Sequence, residues 1–321
     1  MAEKTVNRAY EGGVRRVLER LMDERLTRLR PIPSFPDSIV YEGASADTAL
    51  VLKLIDPDGQ DESRIAAEAW ALRRAARAGV PVPAVVDVDA SATELPATFM
   101  VMAKARGVDL RGAALSDEQM RPLLLEIGRN LRKLHSVEVD GFGFLRVDSA
   151  GNCRGEHANW KGAALAAVEP GLAKLAANPH FTQANIPLAE RIISENAHIL
   201  ESVERGSLLH GDLGMIHLFA DLKRRKITSF IDFGECKSGD PVWDFVDVRW
   251  RHVNTILEGY APVERMRAEF DDRFYLCAIL RNLIWTVRWN DVIPRDSAER
   301  MAFMIGEAAQ HFGYGGQYDG D

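Results

Sequence analysis

The sequence predicts an α+β chain of two lobes: a small β-rich lobe over residues 1–106 and a larger helical lobe over 107–321. Three observations carry this prediction. Short Val-, Ile- and Leu-rich runs bounded by turn residues crowd positions 38–103. From Ser116 onward, apolar residues recur every third or fourth position over long stretches. The composition, 46% hydrophobic and 27% charged over 321 residues, is that of a globular chain with room for one large domain or two ordinary ones.

Val6, Tyr10, Val14, Val17, Leu18, Leu21 and Leu29 repeat at helical spacing, which predicts an amphipathic leading helix ending before Pro31. "SIVYEG" (38–43) and "TALVLKLI" (48–55), joined by "ASAD", predict a β-hairpin. "DESRIAAEAWALRRAARAG" predicts a helix that stops at Gly79. "VPVPAVVDVD" and "ATFMVMAKARG" predict two more strands, for a sheet of about five with one helix inserted. The change of character falls near Arg106–Gly112. "SDEQMRPLLLEIGRNLRKLH" opens with a capping pattern, Ser116 and Gln119, and carries Leu123, Ile127, Leu131 and Leu134 on one face. Further helices are predicted over 160–177, 185–204, 242–258, 263–290 and 296–312, with a strand–turn–strand stretch between the second and third.

A net charge of −7 argues against nucleic acid or an anionic membrane as partner. Of that excess, −5 lies from Asp240 onward, where 14 Asp and Glu face nine Lys and Arg. Three scattered cysteines without a C-x-x-C pair fit a reducing compartment. No stretch resembles a signal peptide or a membrane span, so a cytoplasmic location is expected; oligomeric state is not legible.

The octapeptide "HGDLGMIH", His210 to His217, holds one carboxylate, Asp212, between two histidines. By itself it reads equally as a metal cluster of the metallohydrolase kind, a proton-transfer site or a turn. A second carboxylate, Asp232, ends the apolar run "SFIDFG", so adjacent strands would bring Asp212 and Asp232 to the mouth of one hairpin, with His217 beside them.

The order of the motifs is more specific than any one of them. "HGDL" is followed by "IDFGE" and then "GDPVWD" (239–244), and upstream stand a strand lysine, Lys53 in "LVLKLI", and a helix glutamate, Glu68 in "RIAAEAWAL". On these residues the chain resembles the aminoglycoside phosphotransferase family of small-molecule kinases over roughly residues 35–290. The resemblance implies a bilobal protein-kinase-like fold and ATP-dependent phosphoryl transfer to a hydroxyl, with Mg²⁺ as cofactor and GTP not excluded as donor. It implies that Asp212 orients the acceptor hydroxyl and takes its proton, that Asp232 binds Mg²⁺, that Lys53 holds the α- and β-phosphates and that Glu68 positions Lys53. His210, Asp240 and Asp244 would support the catalytic loop. In "FMVMAKARG", the backbone of Ala103 and Ala105 would face the nucleotide base.

Two positions depart from the family pattern. His217 stands where these kinases usually carry an asparagine metal ligand; an imidazole can donate one lone pair, yet it suits softer metals than Mg²⁺. The phosphate loop, "PIPSFPDSIVYEG", has no glycine before Gly43, leaving Ser34, Asp37 and Ser38 to offer polar groups, of which Asp37 would repel phosphate. The stretch "LHSVEVDGFGFLRVDSAGNCRGEHANW" resembles antibiotic kinases of the family and, with the acidic C-terminal excess, favours a cationic, aminoglycoside-type acceptor, hygromycin-like or otherwise. Another small metabolite or a macrolide is the alternative acceptor, and a catalytically weak or inactive nucleotide-binding module is the rival from another class.

Overall fold

The computed structural model describes residues 10–33, 38–55, 63–148, 150–246, 248, 250–260, 264–288 and 293–314. In chain order these form α1 (Glu11–Met22), β1 (Arg28–Ile32), β2 (Ile39–Ala44), β3 (Ala49–Leu54), α2 (Ser63–Arg77), β4 (Val85–Asp89), β5 (Phe99–Ala103), β6 (Val108–Asp109), α3 (Asp117–His135), β7 (Glu138–Val139), β8 (Phe142–Val147) and β9 (Cys153–His157). There follow α4 (Trp160–Leu165), α5 (Val168–Ala176), α6 (Asn185–Asn196), β10 (Gly206–Leu209), β11 (Leu218–Asp221), β12 (Lys226–Phe230), β13 (Lys237–Gly239), α7 (Trp250–Tyr260), α8 (Glu264–Arg288) and α9 (Arg295–His311). The chain divides into two compact units. The first holds Met1–Glu126, Arg146–Cys153 and Met215–Cys236; the second holds Ile127–Leu145, Arg154–Gly214 and Lys237–Asp321. All of residues 1–106 thus fall in the first unit, and 107–126, 146–153 and 215–236 join them.

The first unit is built on an antiparallel sheet in the order β1-β2-β3-β5-β4. Alternation along the strands decides its faces. Tyr41, Leu50, Leu52, Leu54, Phe99 and Val101 point to one side and bury against Val14, Val17 and Leu18 of α1. Gly43 is part of this packing, since a Cβ there would come within 2.6 Å of a Leu18 methyl. Lys53 pairs in register with Val40 and Met100, so these project from the opposite face. The expected leading helix is shorter than its apolar spacing suggested. Asp23 takes a left-handed conformation (φ 54°) that ends α1, and Leu29, eight residues beyond Leu21, belongs instead to β1. Pro31 is tolerated there because β1 is an edge strand. Val6 lies outside the described residues. A second, three-stranded sheet, β12-β11-β6, completes the unit.

In the second unit, α3 opens on the predicted capping box: Ser116 N–H donates to Gln119 Oε1 at 2.9 Å, and Gln119 N–H donates back to Ser116 Oγ at 3.3 Å. Leu123, Ile127, Leu131 and Leu134 are all buried. The predicted helix over 160–177 is broken at Ala166–Ala167 into α4 and α5. Pro170, in the first turn of α5, clashes with a continuous helix through the carbonyl four residues earlier. Similarly, 242–258 splits into a 3₁₀ turn, Pro241–Phe245, and α7. The sheet β7-β10-β13-β8-β9 was not anticipated. Its strands between Glu138 and His157 are short and glycine-interrupted, which hides their period. Among the described residues, no helix is long and apolar enough to cross a membrane.

Candidate active site

In the first unit, Lys53 extends from β3 and meets two carboxylates. Its ammonium lies 2.8 Å from Glu68 Oε2 on α2 and 2.9 Å from Asp232 Oδ1, two residues beyond β12. Glu68 is buried, Lys53 nearly so, and Asp232 is half-exposed. Burial alone would lower the lysine's pKa, but the two carboxylates outweigh it and raise it, so Lys53 is a fixed cation. Burial and the neighbouring Asp232 push the Glu68 carboxyl upward against the pull of Lys53. Asp232 adopts a left-handed backbone (φ 63°), a strained conformation that aspartate tolerates better than most residues. His217, at the end of a 3₁₀ turn before β11, places Nε2 3.7 Å from Asp232 Oδ2, and its carbonyl accepts the N–H of Ile231 at 2.9 Å.

Around this cluster α2 is fastened a second time. Arg64, one turn before Glu68, donates to the Gly234 carbonyl at 3.1 Å and pairs with Glu235 at 2.5 Å. Gly234 has no room for a side chain: a Cβ would stand 3.0 Å from Lys53 Nζ and 3.3 Å from Asp232 Oδ1. Ser38 precedes β2, while Ser34 and Asp37 lie outside the described residues. Ala103 closes β5 with its N–H donated to the Ala84 carbonyl at 2.9 Å, and Ala105 follows two residues on.

In the second unit, β10 leads into the loop that carries His210 and Asp212. This loop is held by Asp244. The carboxylate accepts the N–H of His210 at 2.7 Å and of Gly211 at 2.8 Å, and it also meets His135 Nε2 at 3.1 Å. His135 in turn lies 3.2 Å from the Tyr260 hydroxyl. Against the penalty of full burial, the His135 bond and the backbone donors hold the Asp244 carboxyl below its ordinary pKa. His210 is itself fully buried, its Nδ1 3.3 Å from the Asp212 N–H. Asp212 keeps a quarter of its side chain exposed and accepts a hydrogen bond from Arg281 at 2.8 Å. Asp240 caps the following 3₁₀ turn through the Val242 N–H and pairs with Arg273 at 3.3 Å; burial pushes its carboxyl above the ordinary range.

The structure therefore brings Lys53, Glu68, Asp232 and His217 together in one unit, and His210, Asp212 and Asp244 in the other. The expectation that one hairpin carries both Asp212 and Asp232 is corrected. β10 pairs with β7 and β13, whereas Asp232 follows β12, which pairs with β11. The metallohydrolase reading of "HGDLGMIH" also loses its basis: among the described residues no three His, Cys, Asp or Glu side chains group as a metal cage requires. Sequence reasoning passed over His135, Arg64, Arg273 and Arg281. His135 ends a strongly amphipathic helix, and Arg64 precedes Glu68 by one turn; those were the only local signals.

The family model described as the phosphotransferase enzyme family, APH, matches residues 29–273. The chain belongs to that family. No curated protein matches it. Among solved structures, it is similar to a thermostable mutant of aminoglycoside phosphotransferase APH(4)-Ia in ternary complex with AMP-PNP and hygromycin B, with a TM-score of 0.70 and 16% identity over 95% of this chain and 100% of that one. A putative fructosamine-3-kinase from Thermobifida fusca YX-ER1 follows, with a TM-score of 0.65 and 16% identity over 93% and 98%. The GDP and kanamycin complex of an APH(2")-type enzyme matches with a TM-score of 0.67 and 15% identity over 94% and 99%. The α+β architecture, β-rich toward the N-terminus and helical toward the C-terminus, is thus the protein-kinase-like fold of these phosphotransferases.

Proposed function

We propose that this phosphotransferase is an ATP-dependent kinase that moves the γ-phosphoryl group to a hydroxyl of a small molecule. The observation that carries the reading is the Lys53 ammonium seated between Glu68 and Asp232 at 2.8 and 2.9 Å. A fixed cation beside a half-exposed carboxylate is what a polyphosphate and its counter-ion require. In this reading residues 1–106 form the nucleotide lobe and 107–321 the acceptor lobe. The base meets the Ala103 carbonyl and the Ala105 amide, Ser38 lies along the phosphates, and Lys53 holds the α- and β-phosphates while Glu68 keeps its side chain extended. The occurrence of both an AMP-PNP and a GDP complex among the similar structures leaves GTP as a possible donor.

The donor set fits Mg²⁺, which is commonly held by one or two protein ligands together with substrate phosphates. Asp232 and His217 are the residues that would hold it, and when bound it would neutralise charge spread over the phosphates. Asp212 does the proton work. The acceptor oxygen forms a new bond to the γ-phosphorus, the bond from that phosphorus to the β,γ-bridging oxygen breaks, ADP leaves, and the hydroxyl proton passes to Asp212. Asp244 fixes the loop by gripping two successive amides, and Asp240 braces the turn behind it.

The hygromycin B and kanamycin held by the similar structures suggest a cationic, aminoglycoside-type acceptor. The described carboxylates add little to that suggestion: Asp244 is buried in the loop anchor, and Asp272 is paired with His311 at 2.6 Å. Coupled ADP release from Mg²⁺-ATP across aminoglycosides, macrolides, amino alcohols, sugars and hydroxy acids tests the reading. Turnover with one class, lost in Asp212→Asn, is expected. The absence of any ATP-induced thermal stabilisation would leave only a kinase-like shell without nucleotide function.

A further inference from the structure

Next to Asp212 the second unit carries a chain of cations interleaved with aromatic rings. Arg281, Trp285 and Arg288 stand at i, i+4 and i+7 on α8, which puts them on one helix face. The Arg281 guanidinium, bonded to Asp212 at 2.8 Å, lies 5.5 Å from the Trp285 ring centre. On the far side of that chain, Arg288 lies 5.7 Å from Trp285 and 4.9 Å from Phe144. Lys237, paired with Phe144 across the β13–β8 ladder, sets its ammonium 4.3 Å from the same ring. Three positive side chains are therefore strung over two rings, ending on the carboxylate that takes the acceptor's proton in the function proposed above. Lys237 and Arg281 are buried, while Phe144, Trp285 and Arg288 are half-buried and present surface to solvent.

We infer that the acceptor carries an acidic group, a carboxylate or a phosphate, in addition to the hydroxyl it presents to Asp212, and that Arg288 is the residue that selects it. The inference rests on the phosphotransferase reading, because that reading seats a hydroxyl at Asp212. Ring faces attract cations without occupying the in-plane N–H donors of a guanidinium, so Arg288 retains the fork that matches a carboxylate or phosphate. Holding like charges around one ring is unfavourable unless an anion joins them. A polycation entering with its hydroxyl at Asp212 would instead bring its ammonium groups against Arg281 and Arg288. The helix sets the scale: seven residues separate the two arginines by about 10 Å along α8, roughly one sugar ring and its substituents. Phe144 and Trp285 between them offer apolar faces to the body of such a molecule.

The test is calorimetric titration of the full-length protein, saturated with Mg²⁺ and AMP-PNP so that the nucleotide site is filled. The four probes share one scaffold: glucuronate, glucose 6-phosphate, glucose and glucosamine. At least one of the two acids is expected to bind about tenfold or more tighter than glucose and glucosamine, and the pair shows whether carboxylate or phosphate is preferred. Arg288→Ala should erase that preference, and Arg288→Lys should keep part of it, with AMP-PNP-induced thermal stabilisation confirming that both variants fold. Equal or tighter binding of glucosamine, no preference among the four, no binding by any of them, or a preference unchanged in Arg288→Ala would overturn the assignment. ADP release with amino sugars and none with acids would remove it while leaving the kinase reading intact. Loss of nucleotide stabilisation in the wild type strikes the kinase reading instead.

Discussion

Replacing Asp244 by alanine removes one carboxylate and strands three donors. The His210 and Gly211 amides lose their acceptor at 2.7 and 2.8 Å, and His135 Nε2 loses its partner at 3.1 Å, all within a fully buried site. Hydrogen bonds to a charged group contribute about 1.5–3 kcal/mol each, yet they are not additive when they share one acceptor. Breaking a buried charged pair from one side costs about 3–5 kcal/mol. We expect Asp244→Ala to lose about 4 kcal/mol, and Asp244→Asn about half of that, since the amide keeps one accepting oxygen but turns an NH₂ toward a donor. Urea unfolding followed by circular dichroism and tryptophan fluorescence at neutral pH measures the loss. The pH dependence has a fixed sign. Asp244 titrates below its ordinary value in the folded protein, so its contribution is complete above the ordinary carboxylate range and fades as pH falls through the lower, folded value. The gap between wild type and Asp244→Asn should therefore narrow in acid. A loss under about 1 kcal/mol at neutral pH, the size of an ordinary surface effect, would show that the loop amides do not depend on this carboxylate.

Three further outcomes are expected. Asp212→Asn should lower kcat by about 10²–10⁴-fold in coupled ADP release while the ATP-induced rise in Tm persists, as befits a group that acts on the acceptor. His217→Asn should remain active and shift its preference from softer divalent ions toward Mg²⁺, read from rates with Mg²⁺, Mn²⁺ and Co²⁺. Glu42, buried on β2 and gripped by Arg28 at 2.6 Å, Arg30 at 2.7 Å and Lys104 at 2.9 Å, keeps its carboxyl near pKa 2: burial would raise it, but the three cations prevail. Its stabilisation is present above the ordinary glutamate pKa and is lost as pH falls toward 2. Because the partner cations are largely exposed, Glu42→Gln should cost only about 1–2 kcal/mol at neutral pH and little in strong acid, measured by thermal melts across pH.

The residues singled out by short motifs were legible because their chemistry is local to the string. Lys53 sits on the strand and Glu68 on the helix that the patterns predict, and their side chains meet. What the string does not carry is pairing. "SLL" of β10 and "ITSF" of β12 look alike, and only the sheets decide that one joins β13 and the other β11. Likewise Arg281 is one of many charged residues in a 25-residue helix, and its bond to Asp212 spans 69 positions, beyond any local period. Leu29 was misread for a simpler reason: eight residues from Leu21 satisfies a helical repeat, and the left-handed turn at Asp23 that intervenes has no glycine to announce it.

The split ancestry of the first unit bears on how the protein is made. Lys53 must wait for a carboxylate 179 residues downstream, and β6 for β11. At ribosomal speeds of about 5–20 residues per second, Asp232 emerges roughly 10–35 s after Lys53. During that interval the early sheet exists without its closing ladder, and the pairing that finally arrives is one of high contact order, which forms slowly. Synthesis, rather than refolding from denaturant, is thus the setting in which the β-rich part is most exposed to misassociation, and a chain stopped before residue 215 would never complete it.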